Sequence, residues 1–288
     1  MFVGRFASSR SHLEAVLALY DPTSHGSLVH QAGIHPQVVS QAYLAIVLLC
    51  LGYSDQALAQ SRAAIAEPRR LAHPPSLASS LALGARLLSL GGDSALLGEW
   101  VERLVEVTTD QGFPVWGAVG TIYRGWIKVE NGDVTEGIPL LRNGVSAFRA
   151  TGEEAWIPHF IILLARACEI AGQVEEAVTL LDEALQIVER TGERWLAAEL
   201  HRHKGRLLQW RGHAEAAEDL YRKALSIAAE QGAKLWELRA AASIARLRRD
   251  QCRHAEARDL LAPVYGWFTE GFDTPDLKEA RALLDTFV

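Results

Sequence analysis

Cysteine is rare: three in 288 residues (Cys50, Cys168 and Cys252), odd in number and far apart. That excludes a disulfide-built scaffold and predicts ordinary reduced thiols. Proline is scarce at 10 residues, and no Pro/Gly/Ser-rich stretch divides the chain, so one continuous body is predicted. Positive charge is not in excess. With 35 acidic residues against 29 basic ones, no general field draws the chain to nucleic acid or to anionic lipid, and any basic patch must be local. No uninterrupted apolar run reaches about 18 residues, and the opening MFVGRFASSR has no apolar core of signal-peptide length. A cytoplasmic chain with neither nucleic-acid nor membrane partners is the expectation. What the sequence does hold is 49% hydrophobic residues and an abundance of Ala, Leu, Glu and Arg, a mixture that favours helix and fills a core.

Self-similarity then organises the chain. Gly52, Gly92, Gly132, Gly172 and Gly212 recur every 40 residues, with Cys252 in the sixth place, and Gly112, Gly152, Gly192 and Gly232 repeat at the same period half a unit away. Two turns per unit imply two helices per unit. Between the turns apolar residues recur at helical spacing, as in Ala177, Leu180, Leu181, Ala184, Leu185 and Val188. Each glycine follows such a stripe, where a helix stops in the left-handed conformation.

The small and bulky residues match a tetratricopeptide pattern. A small residue in the first helix, another twelve positions on and a bulky one four later describe Ala165, Ala177 and Leu181, and equally Gly205, Ala217 and Tyr221. Ala45 and Ala57 fit with Ser61 as the weak member, and Ala245, Ala257 and Leu261 close the series. The fold class predicted is all-α: a right-handed superhelical solenoid of antiparallel helix pairs. Six repeats span 38–271, with a capping helix and loop over 1–37 and a capping helix over 272–288. A helix is expected near Ser11 to Tyr20 and a loop from His25 to Pro36. The repeat exceeds the standard 34 residues, so each helix should be about a turn longer. Leu97 and Gly137 stand where alanine is expected and Pro139 sits early in a helix, so the second and third units should be the least regular.

The run Leu260-Leu-Ala-Pro-Val-Tyr-Gly-Trp-Phe-Thr-Glu-Gly-Phe-Asp-Thr-Pro-Asp-Leu277, with Tyr43-Leu-Ala and Leu51-Gly-Tyr-Ser-Asp-Gln-Ala-Leu58, resembles the C-terminal repeat region of bacterial signalling proteins that join an adenylate/guanylate cyclase domain, an AAA-type ATPase domain and helical repeats. The resemblance implies a regulatory or scaffold module whose partner is a protein or peptide, including the cyclase/ATPase portion of a larger protein. It does not carry catalysis over. There is no Gly-x-x-x-x-Gly-Lys-Ser/Thr loop, no Ser-His-Asp or Cys-His arrangement can be picked out, and neither enzyme activity nor a cofactor is expected.

In tetratricopeptide arrays the first helices line the concave surface. The position after each small residue is then Ile46, Arg86, Trp126, Arg166, Arg206 and Arg246, and neighbouring inward positions add His159, Glu169, Glu199, Arg202, Arg239 and Arg249. Guanidinium groups on helices roughly 8–10 Å apart repel unless something answers them. One reading is a groove for an acidic peptide or other anion. The other is a self-paired ladder, with Glu169 three residues from Arg166 and Glu199 three from Arg202; Arg239, Arg246 and Arg249 have no such local partner. Trp116, Trp156, Trp195 and Trp236 read as aromatics bracing successive repeats. His25, His30 and His35, and His201 with His203, do not share a helix face, so no metal site is expected. Two function classes stay open: a scaffold holding a partner segment in the groove, and a small-ligand sensor acting on an attached or associated cyclase or ATPase.

Overall fold

A computed structural model describes residues 1–25, 28–70 and 72–287, and among them there is no strand. After α1 (Phe6–Leu19) and the short α2 (Pro22–His25) and α3 (Leu28–Ala32) come antiparallel pairs: α4 (Pro36–Cys50) with α5 (Ser54–Arg70), α6 (Pro74–Gly91) with α7 (Ser94–Gln111), and α8 (Pro114–Glu130) with α9 (Val134–Ala150). Then follow α10 (Ile157–Ile170) with α11 (Val174–Thr191), α12 (Ala197–Trp210) with α13 (Ala214–Gln231), α14 (Lys234–Asp250) with α15 (His254–Tyr265), and a last helix α16 (Pro275–Asp285). The architecture is an all-helical, tetratricopeptide-like solenoid. Its second helices are long, with α7, α11 and α13 at 18 residues each.

The helix ends follow from local chemistry. Proline opens α4, α6 and α8, where its missing N–H costs nothing. The Asp93 and Asp133 carboxylates accept the N–H of Leu96 and Glu136, both at 3.1 Å. Gly92, Gly112, Gly192 and Gly232 end their helices in the left-handed region. Cys252, in the sixth place of the glycine series, takes the same conformation at φ 60° and is exposed. A Cβ there is strained by about 1–2 kcal/mol, against about 0.5–1 kcal/mol of extra chain freedom for glycine. Cys252→Gly is therefore expected to stabilise the chain by about 0.5–1 kcal/mol in chemical denaturation; a loss of stability would contradict this account of the turn.

Three expectations are corrected. The first helix begins at Phe6, whose buried ring anchors it. The stretch expected as a loop follows directly on α2 and carries α3, with residues 26 and 27 and the side chain of His30 outside the described residues. The third unit is regular: α9 runs unbroken through Pro139, and α8 packs on it at very close range. A Cβ on Gly125 would lie 2.7 Å from the Leu141 nitrogen and 2.8 Å from the Gly137 oxygen. Glycine at 137 thus substitutes for alanine because backbone meets backbone there.

The array winds far enough for its end to meet its beginning. Glu270 Oε1 accepts the N–H groups of Asp55 and Gln56 at 2.9 and 3.1 Å, capping α5 from the far end of the chain. The Gly271 N–H donates to Asp55 Oδ2 at 3.2 Å. Trp267 stands edge-on to Tyr53 at 5.6 Å. The segments Leu51–Leu58 and Leu260–Leu277, noted above for their resemblance, are therefore the two halves of one closing contact. At the other edge, the Trp195 N–H donates to the Phe2 carbonyl at 3.0 Å, and the Phe2 ring lies 4.8 Å from that of Trp156. Residues before α1 thereby cross the inner face.

Candidate functional site on the inner face

Closure turns the inner face from an open trough into chambers. Ile46, Arg86 and Trp126, from α4, α6 and α8, are buried, with Arg86 2% and Trp126 1% exposed. The corresponding residues of α10, α12 and α14 (Arg166, Arg206 and Arg246) reach openings instead. One chamber of about 420 Å³ is lined by Phe2, Tyr43, Arg86, Trp116, Phe148 and Trp156 among others. A second, of about 250 Å³, is lined by Arg166, Arg202, Arg206, Arg239 and Arg246 together with Asp276 and Glu279. Arg249 lines neither; it pairs with its neighbour Asp250 at 2.9 Å on the outside.

Most of the basic ladder is answered by carboxylates, largely from one repeat away. Glu199, fully enclosed, accepts from Arg202 Nε at 2.7 Å and Nη2 at 3.0 Å, and from Arg239 Nη1 at 3.1 Å. Burial pushes its pKa up, but the charges and hydrogen bonds of the two arginines outweigh burial and hold it at about 2. Arg239 also donates to both Asp276 oxygens at 2.8 Å and to the Leu90 carbonyl at 2.5 Å, tying α14 to α16 and to the end of α6. Arg206 pairs with Glu169, and Arg246 with Glu279. The local pair expected between Arg166 and Glu169 is replaced by Arg206–Glu169, and Arg239, Arg246 and Arg249 all have partners. His203 lies 3.8 Å from Glu199, yet burial and the surrounding arginines hold its pKa well below the usual histidine value, so the contact is not an ion pair.

Among the arginines that reach the openings, Arg166 is the exception. Among the described residues no carboxylate or other acceptor bonds its guanidinium, which stacks on the Trp126 ring at 4.4 Å. Burial first, and then Arg206, Arg239 and Arg202, pull its pKa to about 10, still charged at neutral pH. It borders the polar chamber and also a wide opening shared with Glu169, Ile170, Arg206, Gln209 and Trp210. There Ile170 is 56% and Trp210 60% exposed, unusual values for side chains of that size. Sequence reasoning passed over both, because each falls where a first helix ends rather than on its inward line.

His159 is buried, its Nε2 3.1 Å from the Tyr123 hydroxyl, and burial with Arg86 and Arg166 nearby keeps it neutral. Trp195 and Trp236 are completely enclosed, and Trp236 Nε1 donates to the Trp195 carbonyl at 3.1 Å. These two brace the repeats. Trp116 and Trp156 instead wall the apolar chamber. Among the described residues no group of three or more His, Cys, Asp or Glu is placed to hold a metal ion, and no helix is long and apolar enough to cross a membrane.

Residues 153–230 match the family model of the tetratricopeptide repeat. A curated relative, an uncharacterized protein of Rhizobium meliloti (strain 1021), is 29% identical over 248 residues, or 85% of this chain; the chain spans 24% of that protein's length. Among solved structures, a Rap protein complexed with competence and sporulation factor aligns with 97% of this chain and 85% of its own, at TM-score 0.61 and 12% identity. The apo form of RapI aligns with 86% of this chain and 84% of its own, at TM-score 0.58 and 10% identity. A signal transduction ATPase with numerous domains and a tetratricopeptide repeat sensor, from Pyrococcus horikoshii, aligns with 87% of this chain and 42% of its own, at TM-score 0.51 and 12% identity. At those identities the likeness is one of fold.

Proposed function

We propose that this chain is a non-catalytic interaction module that holds a segment of a partner protein at the opening formed by Arg166, Arg206, Ile170 and Trp210. The segment carries an acidic residue beside an apolar one. The observation behind this reading is the unpaired Arg166: where four other arginines of the inner face each have a carboxylate, this one points its charge at an opening with exposed tryptophan and isoleucine on its edge. An acidic side chain would complete the ladder, and an apolar neighbour would cover Trp210. Partner binding of this general kind is consistent with the Rap structure, which holds competence and sporulation factor. The partner segment belongs, on this proposal, to a signalling protein of the cyclase–ATPase type; the sequence resemblance supports that choice. A sensor of small molecules is the second reading, favoured by the apolar chamber and by the tetratricopeptide sensor of the Pyrococcus protein.

The test is a titration of the whole chain with peptides carrying Asp or Glu next to Phe or Leu, against the same peptides with Asn or Gln. Acidic peptides should bind, with affinity falling as salt screens the contact. Arg166→Glu should weaken them by roughly tenfold or more, the scale of one charge-assisted hydrogen bond. Equal binding of acidic and amide peptides, or an indifferent Arg166→Glu, would remove the proposal.

A further inference from the structure

The apolar chamber is lined by one arginine to which no acceptor among the described residues is bonded. Arg86 is 2% exposed, and among the described residues no acceptor bonds its guanidinium. Its Nε is sealed from solvent without a partner. The carboxylate that acts on it through space, Glu193, is occupied elsewhere: its oxygens accept the Trp156 backbone N–H at 3.1 and 3.2 Å and Trp195 Nε1 at 2.9 Å. What Arg86 touches is aromatic, with the Trp156 ring 3.7 Å away and that of Phe160 5.2 Å away. Ring faces recover only part of the cost of burying an isolated cation. Arginine offers five N–H donors in a planar fork, and the chamber it lines is of the size that small molecules occupy.

The walls narrow the class of occupant. Tyr43, Phe113, Trp116, Phe148 and Trp156 present flat apolar surface, and the charged group opposing Arg86 in the lining is Glu153, at the exposed edge. One guanidinium with carboxylates behind and at the edge suits a single negative charge and disfavours a dianion such as a phosphate monoester. Trp156 itself is held at φ 75°, a conformation that costs a bulky L-residue free energy and that Glu193 secures through the Trp156 N–H. The ring is thereby fixed against Arg86, and both side chains line the chamber.

We propose that this chamber binds a small aromatic monocarboxylic acid, its carboxylate in the fork of Arg86 and its ring stacked among Trp156, Tyr43 and Trp116. The inference builds on the sensor reading and is independent of the peptide surface at Arg166. The probes are indole-3-acetate and phenylacetate, each paired with its neutral amide, titrated into the whole chain with melting temperature and heat of binding as readouts. The acids should raise the melting temperature saturably, and the amides should bind at least roughly tenfold more weakly. Arg86→Met should abolish the preference for acid over amide, and without ligand it should melt at or above the wild-type temperature, because an apolar side chain of similar length replaces an unpaired buried charge. Acid and amide binding equally, neither binding, or a preference for acid surviving in Arg86→Met would each overturn the proposal. The acid–amide comparison uses the unaltered chain, so it stands even where the variant does not fold. Acidic peptides that depend on Arg166 while the small acids fail would sink this inference and leave the partner-binding proposal intact; the reverse result would do the opposite.

Discussion

Glu199→Gln is expected to lower the stability of the chain by about 3–5 kcal/mol. The carboxylate is 4% exposed and lies between Arg202 and Arg239, accepting three hydrogen bonds from them. Glutamine keeps the volume and one acceptor, but two guanidinium groups then share a buried site with their common counter-charge gone, and Arg239 retains only Asp276 and the Leu90 carbonyl. The depressed pKa of this carboxyl follows from the same contacts. A carboxyl at about 2 in the folded chain, against an ordinary value of 4.5, corresponds to about 3 kcal/mol. Its sign is fixed: the unfolded chain takes up the proton first, so this stability is fully present above pH 4.5 and is lost progressively as pH falls toward 2. Thermal melts of both chains across that window should therefore converge as the wild type loses what the variant never had. A constant gap down to the lowest pH would mean that Glu199 is not the charged centre of the network.

The second large effect is at a position of a few atoms. Ala217 on α13 is completely buried with Tyr221, Ile244 and Leu247, and its carbonyl lies 3.1 Å from where a Cβ on Gly205 would stand. Ala217→Glu forces a carboxylate and one further methylene into that apolar contact. An uncompensated buried charge together with overpacking costs about 4 kcal/mol or more, a large share of the roughly 5–15 kcal/mol that holds a domain together. Repeats couple mainly to their neighbours, so α12 to α16 should melt first, visible as an early loss of helical circular dichroism. An unchanged melting curve would mean that α12 and α13 do not meet at this residue.

The same two side chains mark where sequence reasoning reached and where it stopped. Ala217 was legible because it sits in a pattern of small and bulky residues at fixed spacing, and that pattern is the imprint of two helices approaching closely. The pairing of Glu199 with Arg202 was also legible, three residues apart on one helix. Its second bond, to Arg239, was not, and neither were Arg206 with Glu169 or Arg246 with Glu279, because those partners belong to different repeats. A carboxylate about one repeat away from each arginine was the available signal. Glycine at 137 was read as a flaw in the third unit and proves to be what lets α8 and α9 touch backbone to backbone. The C-terminal run with Trp267 and Glu270 stood out in the sequence, but its docking onto Tyr53, Asp55 and Gln56 depends on how far the whole array turns.

Helix content, the 40-residue period, the glycine stops and the stripe that each helix buries were determined by the sequence alone, since each depends on residues within a few turns of one another and on the backbone preferences of those residues. Which arginines are answered and which are not was decided only by the tertiary structure. Small rotations between successive pairs accumulate until the last repeat meets the first, and that sum closes the inner face into chambers, supplies carboxylates to Arg206, Arg239 and Arg246, and leaves Arg86 and Arg166 without them.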